Sequence, residues 1–149
     1  MKRRPTYQEV CERTNMKFVV VLIIAVIAFA IWVRVAPSHP QRWNVALDDP
    51  QDRVMAHGVV RIVPGGEKYF GELDKIIRDT ERTSHLAGTL EEGMVTYVTR
   101  SKLWGFPDYA TVWVSGQDLV IHSRLRFGGG DTGVNRARVD NWLSKLPAS

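Results

Sequence analysis

Two aspartates set among arginines hold most of the chemistry this sequence offers. Asp108 and Asp131 are accompanied by Arg100, Arg124, Arg126, Arg136 and Arg138. Paired carboxylates exchange protons in general acid–base catalysis. Arg100, Asp108, Arg124 and Asp131, gathered at strand ends beside a terminal helix, would form such a group. The same arginines would keep both carboxylates ionised at neutral pH, which suits recognition or structure better than proton transfer. A second candidate is the run Gly128-Gly129-Gly130-Asp131-Thr132-Gly133, which leads into a helix carrying Asn135 and Arg136. Free amides at a helix start attract anions, so a phosphate or carboxylate has a place there. The alternative is structural, with Asp131 or Thr132 capping the helix.

Other chemistries find little support. The one cysteine, Cys11, lies near the N-terminus, and Ser101, Ser115 and Ser123 sit in no Gly-x-Ser-x-Gly elbow. His39, His57, His85 and His122 are scattered without metal-ligand spacing. Asp48, Asp49 and Asp52 read as solvated linker carboxylates rather than a cation site. No Walker loop or dinucleotide fingerprint occurs, so no cofactor and no metal is expected.

The elements that must position these residues follow from periodicity. Val59 to Val63 reads as a strand stopped by Pro64-Gly65-Gly66. From about Glu67 a helix is expected, with Tyr69, Phe70, Leu73, Ile76, Ile77 and Thr80 facing a core. Glu72, Asp74, Lys75, Arg78, Asp79 and Arg82 fall on the other side. Beyond Thr83 the period becomes two: Ser84–Ala87 and Met94–Arg100 are strand candidates, and Ala110–Val114 and Leu119–Phe127 form a hairpin around Ser115-Gly116-Gln117-Asp118. A last helix spans about Gly133 to Leu146. The hairpin register puts Val114, Val112 and Ala110 opposite Leu119, Ile121 and Ser123 on the helix-facing side. Trp113, Thr111 and Tyr109 then meet Val120, His122 and Arg124 on the other, with Arg126 beyond. One face of an antiparallel sheet can meet water. The aromatic and cationic side chains there form either a docking surface or cross-strand pairs that shield the sheet.

Upstream, Phe18 to Val33 is free of charges and helix breakers and reads as a membrane span, extended by Val35 and Ala36 and closed by Pro37. Arg34-Val35-Ala36-Pro37 makes a poor signal-cleavage site. Lys2, Arg3, Arg4, Arg13 and Lys17 precede the span, so the positive-inside bias puts the N-terminus in the cytoplasm. Residues 1–34 hold six basic and two acidic side chains, which leaves fourteen of each in the remainder. The basic pI of about 9.5 therefore belongs to the tail and span, and a nucleic-acid partner is not expected.

Tyr97-Val98-Thr99-Arg100-Ser101-Lys102-Leu103-Trp104-Gly105-Phe106-Pro107-Asp108, then Ser123-Arg124-Leu125-Arg126-Phe127-Gly128 and Asp131-Thr132-Gly133-Val134-Asn135-Arg136-Ala137-Arg138-Val139, resemble the domain-of-unknown-function 1499 family. His39-Pro40-Gln41-Arg42-Trp43-Asn44-Val45 is similar to the domain's start in membrane-anchored bacterial members. The resemblance spans roughly residues 38–146. It implies a small exported or membrane-attached domain and no particular activity. Many members carry a cysteine near the domain's start, and this chain has none there.

The expected class is α+β: an N-terminal transmembrane helix, then a small antiparallel sheet with two helices on one face. The expected division is a basic cytoplasmic tail (1–17), an anchor (18–36), a tether and domain entry (37–58) and an exported globular domain (59–149). In a double-membrane bacterium the chain would cross the inner membrane once, with the domain in the periplasm. Its expected role is to bind a protein partner or an anionic ligand through Arg100, Asp108, Tyr109, Trp113, Arg124, Arg126, Asp131, Asn135 and Arg136. The alternative is a hydrolase or transferase built on the Asp/Arg group.

Overall fold

A computed structural model of the chain describes residues 7–130 and 132–147, with side chains from residue 15 onward. The chain divides between Ala36 and Pro37 into two compact units.

The first unit is one helix, α1 (Tyr7–Val35). Its stretch Asn15–Val35 has a mean hydropathy of 2.9 and is long and apolar enough to cross a membrane, a property that anchors and signal sequences share. Apolar side chains along it, Phe18, Val21 and Ile24 among them, are exposed. Arg34 in the last turn donates to the Ala30 carbonyl at 3.2 Å, a favourable place for a cation on the helix dipole.

The second unit is a six-stranded antiparallel sheet in the order β1-β2-β6-β5-β4-β3. Its strands are β1 (Arg53–Met55), β2 (Gly58–Val63), β3 (Thr83–Thr89), β4 (Met94–Arg100), β5 (Pro107–Ser115) and β6 (Asp118–Leu125). After β2, a 3-10 turn (Gly66–Tyr69) leads into helix α3 (Phe70–Arg78), and helix α4 (Val134–Leu143) follows β6. A short helix α2 (Pro40–Trp43) precedes β1. The α+β class and the element order read from periodicity are both present, with β1 and α2 added upstream.

The β5–β6 register matches the one read from the sequence, from Val114↔Leu119 to Tyr109↔Arg124. The turn is tighter than expected because Ser115 and Asp118 also pair, leaving Gly116-Gln117 as the two-residue loop. Gly116 supplies the positive φ of 64° that such turns need. The alternation carries through the neighbouring strands, so Val59, Val95, Tyr97, Ala110, Val112, Leu119 and Ile121 share one face. Phe70, Leu73 and Ile77 of α3 and Val139 and Trp142 of α4 close over that face to make the main core. The indole of Trp142 donates to Thr80 Oγ1 at 2.8 Å and ties α4 to the end of α3.

One residue of α3 departs from expectation. Asp74 lies on the inner side of the helix and is 8% exposed. It accepts the Tyr97 hydroxyl at 2.5 Å and two contacts from Arg78 Nε at 2.8 and 2.9 Å. Position 74 falls one turn after Phe70 and three residues before Ile77, so helix geometry directs it inward and the two partners satisfy it there.

The segment 37–58, expected as an irregular tether and domain entry, contributes packed side chains before it ends in β1. Trp43 joins Val98 and Tyr109 on the second face of the sheet, and Ala46 and Leu47, with Met55 of β1, pack on Val60, Trp113 and Val120. The second unit thus has three layers: helices, sheet and an irregular N-terminal cover.

Candidate functional site

On the helix face, Asp108 pairs with Arg138 of α4 at 3.1 Å, and their side chains are 12% and 14% exposed. Arg138 also donates to Asn135 Oδ1 at 2.8 Å, and the Ser123 hydroxyl reaches the same oxygen at 2.7 Å. Asn135 is fully buried. Arg138, Asp108, Asn135 and Ser123 therefore bind the first turns of α4 to the centre of the sheet. Arg136 points away from this group and lies 3.5 Å from Asp140 on the exposed side of the helix. Gly133, in the left-handed region at φ 88°, occupies the cap position with no side-chain cap bond, so Thr132 does not act as the cap. Asp131 lies outside the described residues.

Arg100 and Arg124 belong to the other face. Arg100 alternates with the helix-facing Thr99, and Arg124 stands opposite Tyr109. The grouping of Arg100 and Arg124 around Asp108 does not form, because strand alternation sends neighbouring positions to opposite sides.

That second face is roofed rather than open. The Trp43 ring stacks on Tyr109 with centroids 3.7 Å apart and planes 9° from parallel. The Arg124 guanidinium lies 5.2 Å from the centre of the Trp43 ring, and Arg42 lies 5.3 Å from it. The Trp43 carbonyl accepts the Thr111 hydroxyl at 2.8 Å and a short hydrogen bond from Arg124 Nη2. Thr96 Oγ1 is 2.8 Å from Asn44 Oδ1 and 3.0 Å from Thr111 Oγ1. Burial lowers the proton affinity of Arg124. It also pulls His122 down to about pKa 4, helped by the charges of Arg124 and Arg53, so this imidazole is neutral at physiological pH. Tyr109 is wholly buried and Trp113 is 5% exposed. Of the two readings of this face, the open docking surface does not form around them, because the chain's own segment 37–47 covers them.

The apolar side chains that remain exposed in this unit include two at one end of the sheet. Pro37 and Ser38 enter there: Arg126 Nη1 donates to the Pro37 carbonyl at 2.9 Å and to the Tyr109 hydroxyl at 3.2 Å, and Ser38 Oγ lies 2.6 Å from that same hydroxyl. The β4–β5 loop emerges at the same end. Its base is fixed by bonds from Ser101 N to Phe106 O at 2.9 Å and from Phe106 N to Ser101 Oγ at 3.0 Å. Arg100 Nη1 donates to the Gly105 carbonyl at 3.1 Å. At its tip, Leu103 is 76% and Trp104 40% exposed. A line of rings runs back from the tip, Trp104 to Phe106 at 6.5 Å and Phe106 to Phe127 at 5.8 Å, with Arg126 5.1 Å from the Phe127 ring.

The family model described as "Protein of unknown function (DUF1499)" matches residues 33–146. The chain belongs to that family. No curated protein matches the chain, and no solved structure does. The DUF1499 match starts before β1 and takes in Trp43, in keeping with a domain whose cover is part of its fold. Of the arginines near Asp108 in the sequence, Arg138 is the one that pairs with it, while Trp43 and Asn44 are partners to which strand and helix patterns did not point. The signal for Trp43 and Asn44 was the motif His39–Val45 itself, which keeps a tryptophan in an otherwise polar, proline-containing stretch.

Proposed function

We propose that this DUF1499 protein is a single-pass membrane protein whose folded domain serves as a binding module rather than an enzyme. It takes a protein partner or an anionic ligand at the outer surface of the inner membrane. The N-terminus lies in the cytoplasm and the domain in the periplasm. The observation that carries this reading is the helix Asn15–Val35, uncharged from Phe18 to Val33 and followed within two residues by the folded unit. A basic flank before the span and a neutral balance after it support the orientation. Binding is favoured over catalysis because Asp108 is engaged by Arg138 while Arg100 and Arg124 lie on the opposite face. Arg42 and Arg126, beside Trp43 and Tyr109, supply positive charge for an anionic group near the point where the chain arrives from α1.

Alkaline phosphatase and a fluorescent protein, each fused to the C-terminus, test the topology. Phosphatase activity without fluorescence is expected. Fluorescence without phosphatase activity overturns the orientation and the compartment together.

A further inference from the structure

We propose that the β4–β5 loop, Ser101 to Phe106, inserts its tip into the membrane interface and holds the domain against the bilayer from which the chain emerges. The inference rests on the anchor reading above and adds a second, reversible membrane contact made by the folded domain itself. Three observations converge on lipid as the occupant.

The first is composition. Leu103 and Trp104 project from the loop at 76% and 40% exposure, with Lys102 beside them also exposed. An aliphatic side chain with a neighbouring indole and an ammonium matches the layering of a lipid interface: acyl chain, headgroup level and phosphate. The second is place. Pro37, the first residue of the folded unit, is held by Arg126, whose guanidinium lies over Phe127, and Phe127 continues through Phe106 to Trp104. The loop tip and the arriving chain are joined by one unbroken set of contacts. The chain thus enters the folded unit at the end of the sheet that carries the loop. The third is rigidity. Gly105 N donates to Ser101 O at 3.1 Å, and with the Ser101–Phe106 pair and the Arg100 bond it fixes the loop base, so presenting the apolar tip costs little ordering entropy.

The test uses the full-length chain with Cys11→Ser, reconstituted into phosphatidylethanolamine/phosphatidylglycerol vesicles that contain spin-labelled lipid. A polarity-sensitive fluorophore is placed on Leu103→Cys, on Trp104→Cys as a second tip position, and on Gln117→Cys in the β5–β6 turn at the far end of the sheet. Vesicle flotation is measured alongside. Several-fold stronger quenching by the spin-labelled lipid at 103 and 104 than at 117 is the expected result. Quenching at the tip no greater than at 117, in protein that still floats, overturns the loop contact and leaves the anchor standing. A blue-shifted tip label that lipid does not quench also overturns it, since protein then covers the loop. Protein that fails to float overturns the anchor reading, and the loop contact falls with it.

Discussion

Two buried or nearly buried carboxylates in the folded unit are satisfied in different ways. Asp74 takes the Tyr97 hydroxyl and Arg78 inside the helix layer, where burial and the neighbouring carboxylate push the Tyr97 phenol far above its usual range. Asp108 has Arg138 as its ion-pair partner, reaching down from α4. Asp108→Asn leaves Arg138 with a weaker acceptor in a largely dehydrated place. It should cost about 2 kcal/mol in urea unfolding of the protein while the fold remains. Loss of a binding phenotype in a variant as stable as the parent would instead assign Asp108 to a functional site. His122 gives a pH prediction. Its folded pKa of about 4 lies below the ordinary 6.5, so between those values the unfolded chain takes up a proton that the folded chain refuses. This contribution is fully present above about pH 6.5 and is lost as pH falls toward 4, with a size on the order of 3 kcal/mol. Unfolding free energies measured from pH 7 to 4 should show the decline, and His122→Gln should flatten it.

Among the elements, the least regular one has the most to explain. Helix α2 has only four residues, yet it delivers Trp43 onto Tyr109 and a carbonyl onto Thr111 and Arg124. Trp43→Ala should cost about 3–4 kcal/mol, as expected for truncating a buried aromatic residue. It should also open Tyr109 to water, seen as lost near-ultraviolet dichroism with the sheet signal kept. The β3–β4 hairpin depends on Gly88, whose φ of 82° and close approach to the Met94 carbonyl leave a Cβ only 2.1 Å from that oxygen. Gly88→Ala should therefore destabilise the unit by roughly 2–3 kcal/mol through strain and displaced pairing, measured as a lower urea midpoint. Exposed Gly116→Ala meets no neighbouring atom within 4 Å, so only the strain of its positive φ should register.

For the molecule as a whole, the division between Ala36 and Pro37 separates two kinds of stability. The domain rests on its layered core, while α1 exposes an apolar surface long enough to cross a membrane. An arginine at the middle of the span, Val26→Arg, should raise the cost of insertion by about 2.5–3.5 kcal/mol. The fraction of protein retained in membranes after alkaline extraction should drop, with the unfolding midpoint of the domain unchanged. Unchanged retention would count against the span.

Local pattern alone sufficed for the apolar helix, the strand and helix order and the β5–β6 register, because periods of two and of about 3.6 are properties of neighbouring residues. The sheet's helix-facing side was legible for the same reason: Val112, Ile121 and Leu119 alternate with residues that belong elsewhere. Only the tertiary structure decided what meets the opposite side. Residues 37–47 carry no period, and Trp43 reaches Tyr109 across a long sequence separation that no local rule encodes. Asp74 shows the same limit at a single position. A carboxylate reads as solvent-facing until Tyr97, from a distant strand, supplies the proton that makes its burial affordable.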